Sequence, residues 1–143
     1  MKKSVKLAWS IFAVVLVLTG ALFLFLKTGP ARSLRQAEQF VDRYAETLEP
    51  LLDTGAPIPV LSEVTAYNCW PGEHSMVEFL LKPRFAIYVG CYYSPDDVPL
   101  AFQNATIPLV PDGTGVWTWQ GRGDNRGMTR KLRDHWYYFE ASF

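Results

Sequence analysis

The hydrophobic pattern of this chain changes twice, from continuous, to a period between three and four, to a period of two. From Leu7 to Leu26 the residues LAWSIFAVVLVLTGALFLFL run for 20 positions without a charge. At 1.5 Å rise per residue such a helix is about 30 Å long, the thickness of a bilayer hydrocarbon core, with its backbone groups satisfied internally. The run predicts a transmembrane helix over 7–26, with Trp9 suited to an interface and Gly20 tolerated. Lys2, Lys3 and Lys6 ahead of it, and the small residues Thr19-Gly20-Ala21 within it, also fit a cleaved secretory signal. A signal's apolar region normally spans about 7–15 residues, and continuation through Leu26 favours an uncleaved anchor.

The second pattern begins after Thr28-Gly29-Pro30, which reads as a breaker and short linker. Ser33 and Gln36 fit a capping box, and Leu34, Ala37, Val41, Tyr44 and Leu48 then recur in steps of three and four, widened by Phe40 and Ala45. Glu38, Asp42, Arg43, Glu46 and Glu49 fall elsewhere, so an amphipathic helix is expected over 34–49, ended by Pro50. Two heptads are too few to argue a coiled-coil dimer, and the stripe is better explained as the face that packs on a following sheet. A homodimer is not favoured.

From residue 60 the alternation has period two. Val77, Phe79 and Leu81 share one face of a strand, and Phe85, Ile87, Val89 and Cys91 one face of another. Strands are expected at 60–69, 75–82, 85–93, 116–120 and 134–142, with 105–110 a weaker candidate that Pro108 and Pro111 confine to an edge. Turns separate them at Trp70-Pro71-Gly72-Glu73, Lys82-Pro83, Ser94-Pro95-Asp96-Asp97, Pro111-Asp112-Gly113 and the glycine-rich 121–127. One helix followed by closely spaced strands predicts an α+β domain: a helix packed on an antiparallel sheet of about five strands. The expected organisation is a basic tail at 1–6, an anchor at 7–26, a linker at 27–33 and one soluble domain at 34–143.

Composition and charge refine this picture. Hydrophobic residues make up 49% and aromatics 15%, too much apolar surface for a disordered chain. The net charge of zero hides an asymmetry: Lys2, Lys3, Lys6, Lys27, Arg32 and Arg35 precede every acid, leaving eight basic residues against 14 acidic ones afterwards. A domain carrying that negative excess is not a nucleic-acid binder. Cations on the two sides of the anchor nearly balance, and the short tail places the N-terminus inside and residues 27–143 outside a cell membrane.

Cys69 and Cys91 are the only cysteines and would pair as a disulfide in many small extracellular domains. If 60–69, 75–82 and 85–93 form a simple meander, however, the two lie two strands apart, about 9.6 Å, beyond the roughly 7 Å a disulfide spans. A bond would require the first strand to leave that order, or Cys69 to lie in a curling loop, so the disulfide and the free thiols both stay open. His74 and His135 are the only histidines; no paired short spacing supports a metal site, and no cofactor is implied.

The densest functional signal is the last hairpin. Arg122, Arg126, Arg130, Lys131 and Arg133 gather there beside Trp117, Trp119 and Trp136, and exposed aromatics flanked by cations suit an anionic envelope polymer, a glycan or lipid headgroups. Alternatively, one face of each strand is core and the basic turn is merely solvated. The expected function is a non-enzymatic, membrane-anchored, extracytoplasmic domain that binds a protein or envelope polymer. The rival from another class is a thiol-dependent or hydrolytic enzyme pairing Cys69 or Cys91 with His74 or His135.

Overall fold

The structure, a computed structural model, describes residues 2–84 and 86–143, with side chains described for 11–22 and from residue 29 onward. Two compact units are present, Met1–Arg32 and Ser33–Phe143. Helix α1 is assigned over Lys2–Thr54, so residues 27–33, expected as a linker, carry helical backbone.

In the first unit the described side chains at 11–22 are exposed, the large apolar ones from Val15 at 51% to Val17 at 70%. Among the described residues no helix is long and apolar enough to cross a membrane. Of the expected span 7–26, positions 7–10 and 23–26 lie outside the residues whose side chains are described.

The second unit is α+β. Its strands are β1 (Ala66–Trp70), β2 (Met76–Leu80), β3 (Ile87–Tyr93), β4 (Val110–Pro111), β5 (Val116–Gln120), β6 (Arg126–Arg133) and β7 (Trp136–Ser142). They form one antiparallel sheet in the order β1-β2-β3-β7-β6-β5-β4. The expected count of about five therefore becomes seven. Most of the difference is β6, whose sequence RGMTRKLR reads as a solvated basic turn. It is a strand because both flanks are paired, by β5 and by β7, and because Thr129, at its centre, is buried. The first expected strand starts only at Ala66, and of the candidate at 105–110 only Val110 is in a strand, the two-residue edge strand Val110–Pro111. Phe85, placed at the start of an expected strand, lies outside the described residues.

Helix α1 packs its stripe on one face of this sheet. Ala37, Phe40, Val41, Ala45 and Leu48 are buried with Phe79, Val89, Cys91, Tyr93, Trp136 and Tyr138. Each large apolar side chain removed from water in this way contributes about 1.5–3 kcal/mol. The stripe explains why Pro50 does not stop the helix as expected. Beyond it Trp136 Nε1 donates to Glu49 at 2.9 Å and the Tyr93 hydroxyl to Asp53 at 2.7 Å, holding the last turns on the sheet. The helix stops instead at Gly55, whose φ of +68° suits the left-handed residue of a Schellman turn. Its N–H reaches the Leu52 carbonyl, and that of Ala56 the Leu51 carbonyl. Ser33, read as an N-cap, is instead buried and hydrogen-bonded to the Tyr138 hydroxyl.

The opposite face is closed by the segment 94–109, with a short 3-10 helix at Phe102–Asn104. Met76, Tyr92, Trp119, Tyr137, Phe139 and Ala141 are buried there with Ala101 and Phe102. Burial on both faces is why β3 and β7 read as nearly unbroken apolar runs. The segment is pinned by Asp97, which accepts from Lys131 Nζ at 2.6 Å, the His135 N–H at 2.8 Å and the Tyr137 hydroxyl at 3.0 Å. Burial works to raise the Asp97 pKa, but those donors outweigh it and hold the carboxylate below its ordinary range.

Candidate functional site

The expected aromatic and basic patch is not assembled by the fold. Trp136 is fully buried on the helix side, whereas Trp119, 5% exposed, packs on the opposite face. Trp117 is half-buried on that same opposite face, its ring 6.3 Å from Tyr137. The three indoles therefore belong to two cores, and none forms part of an exposed surface cluster.

The cations also diverge. Arg126 and Arg133 stand at opposite ends of β6, Arg122 is exposed in the turn before it, and Lys131 is held on the far face by Asp97 and Asp134. Arg126 and Arg130 share a face, and the bulge between Lys131 and Arg133 sets Arg133 opposite Trp136 at the far end of the strand. Register places Arg126 beside Ser142 and Gln120, and Arg130 beside Tyr138 and Val116, on the side that α1 covers farther along the sheet.

On that side the structure opens a groove of about 700 Å³. Its lining includes Ile87, Thr118, Arg126, Met128, Glu140 and Phe143. Glu140 is the acidic side chain in its lining, and it is already engaged: the Tyr138 hydroxyl donates to Oε1 at 2.5 Å, and Arg84 lies 3.6 Å from Oε2. Burial first, and the hydrogen bond to Glu140 second, push the Tyr138 hydroxyl pKa up, so Tyr138 remains a donor at every physiological pH. The Nε atoms of Arg84 and Arg130 are buried without a protein acceptor. Of these residues the sequence pointed to Arg126 and Arg130. The signal for Met128 was its period-two placement between those arginines, visible only once 126–133 is read as a strand.

The thiol and imidazole groups do not converge. Cys91 is sealed in the core, and burial pushes its pKa well up, opposite to the activation a nucleophile needs. Cys69 is exposed on the edge strand β1. The two cysteines pair across the sheet with Val77 and Phe79 respectively, so they stand two strands and two residues apart, and both are free. The meander order that puts a disulfide out of reach is the order adopted.

His74 Nδ1 lies 2.8 Å from Asp96 Oδ2, at the rim of a second groove of about 550 Å³ between the 71–74 turn and the 99–109 segment. His135 sits in the β6–β7 turn, its Nδ1 3.2 Å from the Ser94 carbonyl. Among the described residues, no group of three or more His, Cys, Asp or Glu side chains could hold a metal ion. Set against known protein families, curated proteins and solved structures, the chain finds no match in any of the three.

Proposed function

We propose that this protein is a membrane-tethered, non-enzymatic binding domain, with residues 7–26 as the anchor and the unit from Ser33 onward displayed outside the cytoplasm. One observation carries the reading. The described side chains at 11–22 are exposed on every side of α1, including Ile11, Phe12, Val14, Leu16, Val17, Leu18 and Leu22. A helix apolar around its whole circumference needs an apolar solvent, and the uncharged run extends to 20 residues in the sequence. Against the thiol-enzyme alternative stand the sealed Cys91 thiol and two histidines already committed to Asp96 and to a backbone carbonyl.

The test is fractionation of cells expressing the full chain, followed by an alkaline carbonate wash. A tethered chain stays in the pellet until detergent is added, and release by carbonate alone refutes the anchor. Display outside the cytoplasm is read separately: a membrane-impermeant maleimide should label Cys69 in intact cells, and labelling only after lysis would reverse the topology.

A further inference from the structure

We infer that residues 101–109 form a strap over the far face of the sheet, latched by the Glu78 carboxyl while it holds its proton and released as that proton leaves. The device lies within the unit Ser33–Phe143 and is independent of the membrane tether. Side chains attach the strap to the sheet. Among the described residues its backbone hydrogen bonds stay within it: the Asn104 N–H reaches the Ala101 carbonyl, that of Ala105 the Phe102 carbonyl and that of Ile107 the Ala105 carbonyl. Just before it Leu100 is fixed, because its N–H donates to the Tyr92 hydroxyl at 2.8 Å. The Phe102 ring then packs on Phe139 at 5.3 Å, and Asn104 Nδ2 donates to the His74 carbonyl at 2.8 Å. Gln103 and Asn104 have φ of +55° and +53°, a left-handed pair without glycine that costs conformational energy and relaxes when the strap lifts.

Glu78 sits on β2 and is fully buried. Its Oε2 accepts the Gln103 N–H at 3.2 Å, whereas among the described residues Oε1 has no hydrogen-bond partner and the carboxyl makes no ion pair. The side chains beside it are uncharged: Asn68 and Trp70 on β1, and Tyr92, its cross-strand partner on β3, whose hydroxyl is committed to Thr129 and Leu100. Glu73, His74 and Asp96 belong to the neighbouring turns, where His74 and Asp96 pair with each other at 2.8 Å. With no cation to replace its lost hydration, the buried carboxyl favours its neutral form, and the donors Gln103, Asn68 and Trp70 offset only part of that cost. Lifting the strap admits water and removes the cost. Between an open-state pKa of about 4.3 and the raised closed-state value, the open population therefore grows by up to about tenfold per pH unit. Asp97 pins the preceding residues in the opposite sense, since its ionised form accepts from Lys131 and His135 and is lost only in acid. The segment 94–109 is thus held at both places in mild acid, and at Asp97 alone once Glu78 has ionised.

The test is amide hydrogen exchange of the full chain in mild detergent micelles, read by NMR and corrected for the intrinsic effect of pH. In wild type the Gln103, Asn104, Ala105 and Ile107 amides should be protected far less than those of β3 and β7, and their protection should fall about tenfold between about pH 4.5 and about pH 7. Glu78→Gln keeps a carbonyl for the Gln103 N–H and cannot ionise, so the change should shrink to less than about twofold. His74→Gln removes the other titratable link between the 71–74 turn and the segment 94–98, and should leave the tenfold change in place; with wild type it decides the matter even where Glu78→Gln does not fold. Strap amides as strongly protected as those of β3 and β7 would mean that the strap opens only with the whole unit. That result, pH-independent protection in wild type, an undiminished change in folded Glu78→Gln, or its loss in His74→Gln would each overturn the inference.

Discussion

Replacing Trp136 by alanine separates a binding residue from a core residue. Trp136 is wholly buried, its ring 5.8 Å from Phe79 and 5.4 Å from Tyr93, and its Nε1–H donates to Glu49 at 2.9 Å. A buried indole removes about 200 Å² from water, which at about 25 cal/mol per Å² is worth roughly 5 kcal/mol. Measured truncations of buried aromatics fall at about 3–5 kcal/mol once partial relaxation is included. The variant also strips Glu49 of its donor. A loss of about 4 kcal/mol is a large part of the stability of any domain this size and should lower the urea midpoint by roughly 2 M. Trp136→Phe keeps most of the ring and loses the N–H, so it should cost clearly less than Trp136→Ala. The assay is urea unfolding of the full chain in a mild detergent, followed by near-UV circular dichroism. A Trp136→Ala variant within about 1 kcal/mol of wild type that nonetheless lost ligand retention would refute the assignment of Trp136 to the core and restore the surface patch.

Three further outcomes follow from other positions. A Cβ at Gly127 would meet the Trp119 ring and the Glu140 carbonyl, so Gly127→Ala should cost about 1–3 kcal/mol and change the near-UV tryptophan bands; an unaltered spectrum and stability would contradict that packing. Glu78 is buried, and burial holds its carboxyl above the ordinary range, partly offset by the Gln103 N–H at 3.2 Å. The folded chain therefore keeps a proton that the unfolded chain gives up, so this group makes stability fall as pH rises from about 4.3 toward the raised folded value. Glu78→Gln should flatten that fall and gain stability at neutral pH relative to acid, measured by urea titrations at about pH 4 and about pH 7; an unchanged slope rules the group out. In the purified folded chain Cys69 should react with maleimide without reductant and Cys91 only after denaturation, whereas a requirement for reductant would mean that the two are bonded.

How far the fold was legible depended on how local its causes are. The stripe Ala37, Phe40, Val41, Ala45 and Leu48 is the buried face of α1, because helix periodicity is a local property. The strands around Ile87–Tyr93 and Trp136–Ser142 lay close to their expected bounds for the same reason. Strand β6 was hidden because what makes its polar residues compatible with a sheet is distant in the chain: Lys131 is answered by Asp97, and Thr129 shares a 2.8 Å hydrogen bond with Tyr92. Pro50 and Gly29-Pro30 misled in the other direction, since local rules predict helix breaks where α1 continues. The groove was the least legible feature. It depends on Arg84 and Glu140 meeting across the sheet and on the face of β6 that α1 leaves open, neither of which a linear pattern displays.

The sheet order carries a consequence for how the unit is made. Strand β7 follows every other strand in the chain, yet it lies between β3 and β6 and joins the meander β1-β2-β3 to the ribbon β4-β5-β6. During synthesis each half can pair internally, but both present an open inner edge until Trp136–Ser142 clears the ribosome and inserts between them. The last of the sheet's strands to be made is thus its keystone, and commitment to the native topology waits for it. Until then the waiting edges of β3 and β6 are the surfaces most exposed to mispairing with neighbouring chains.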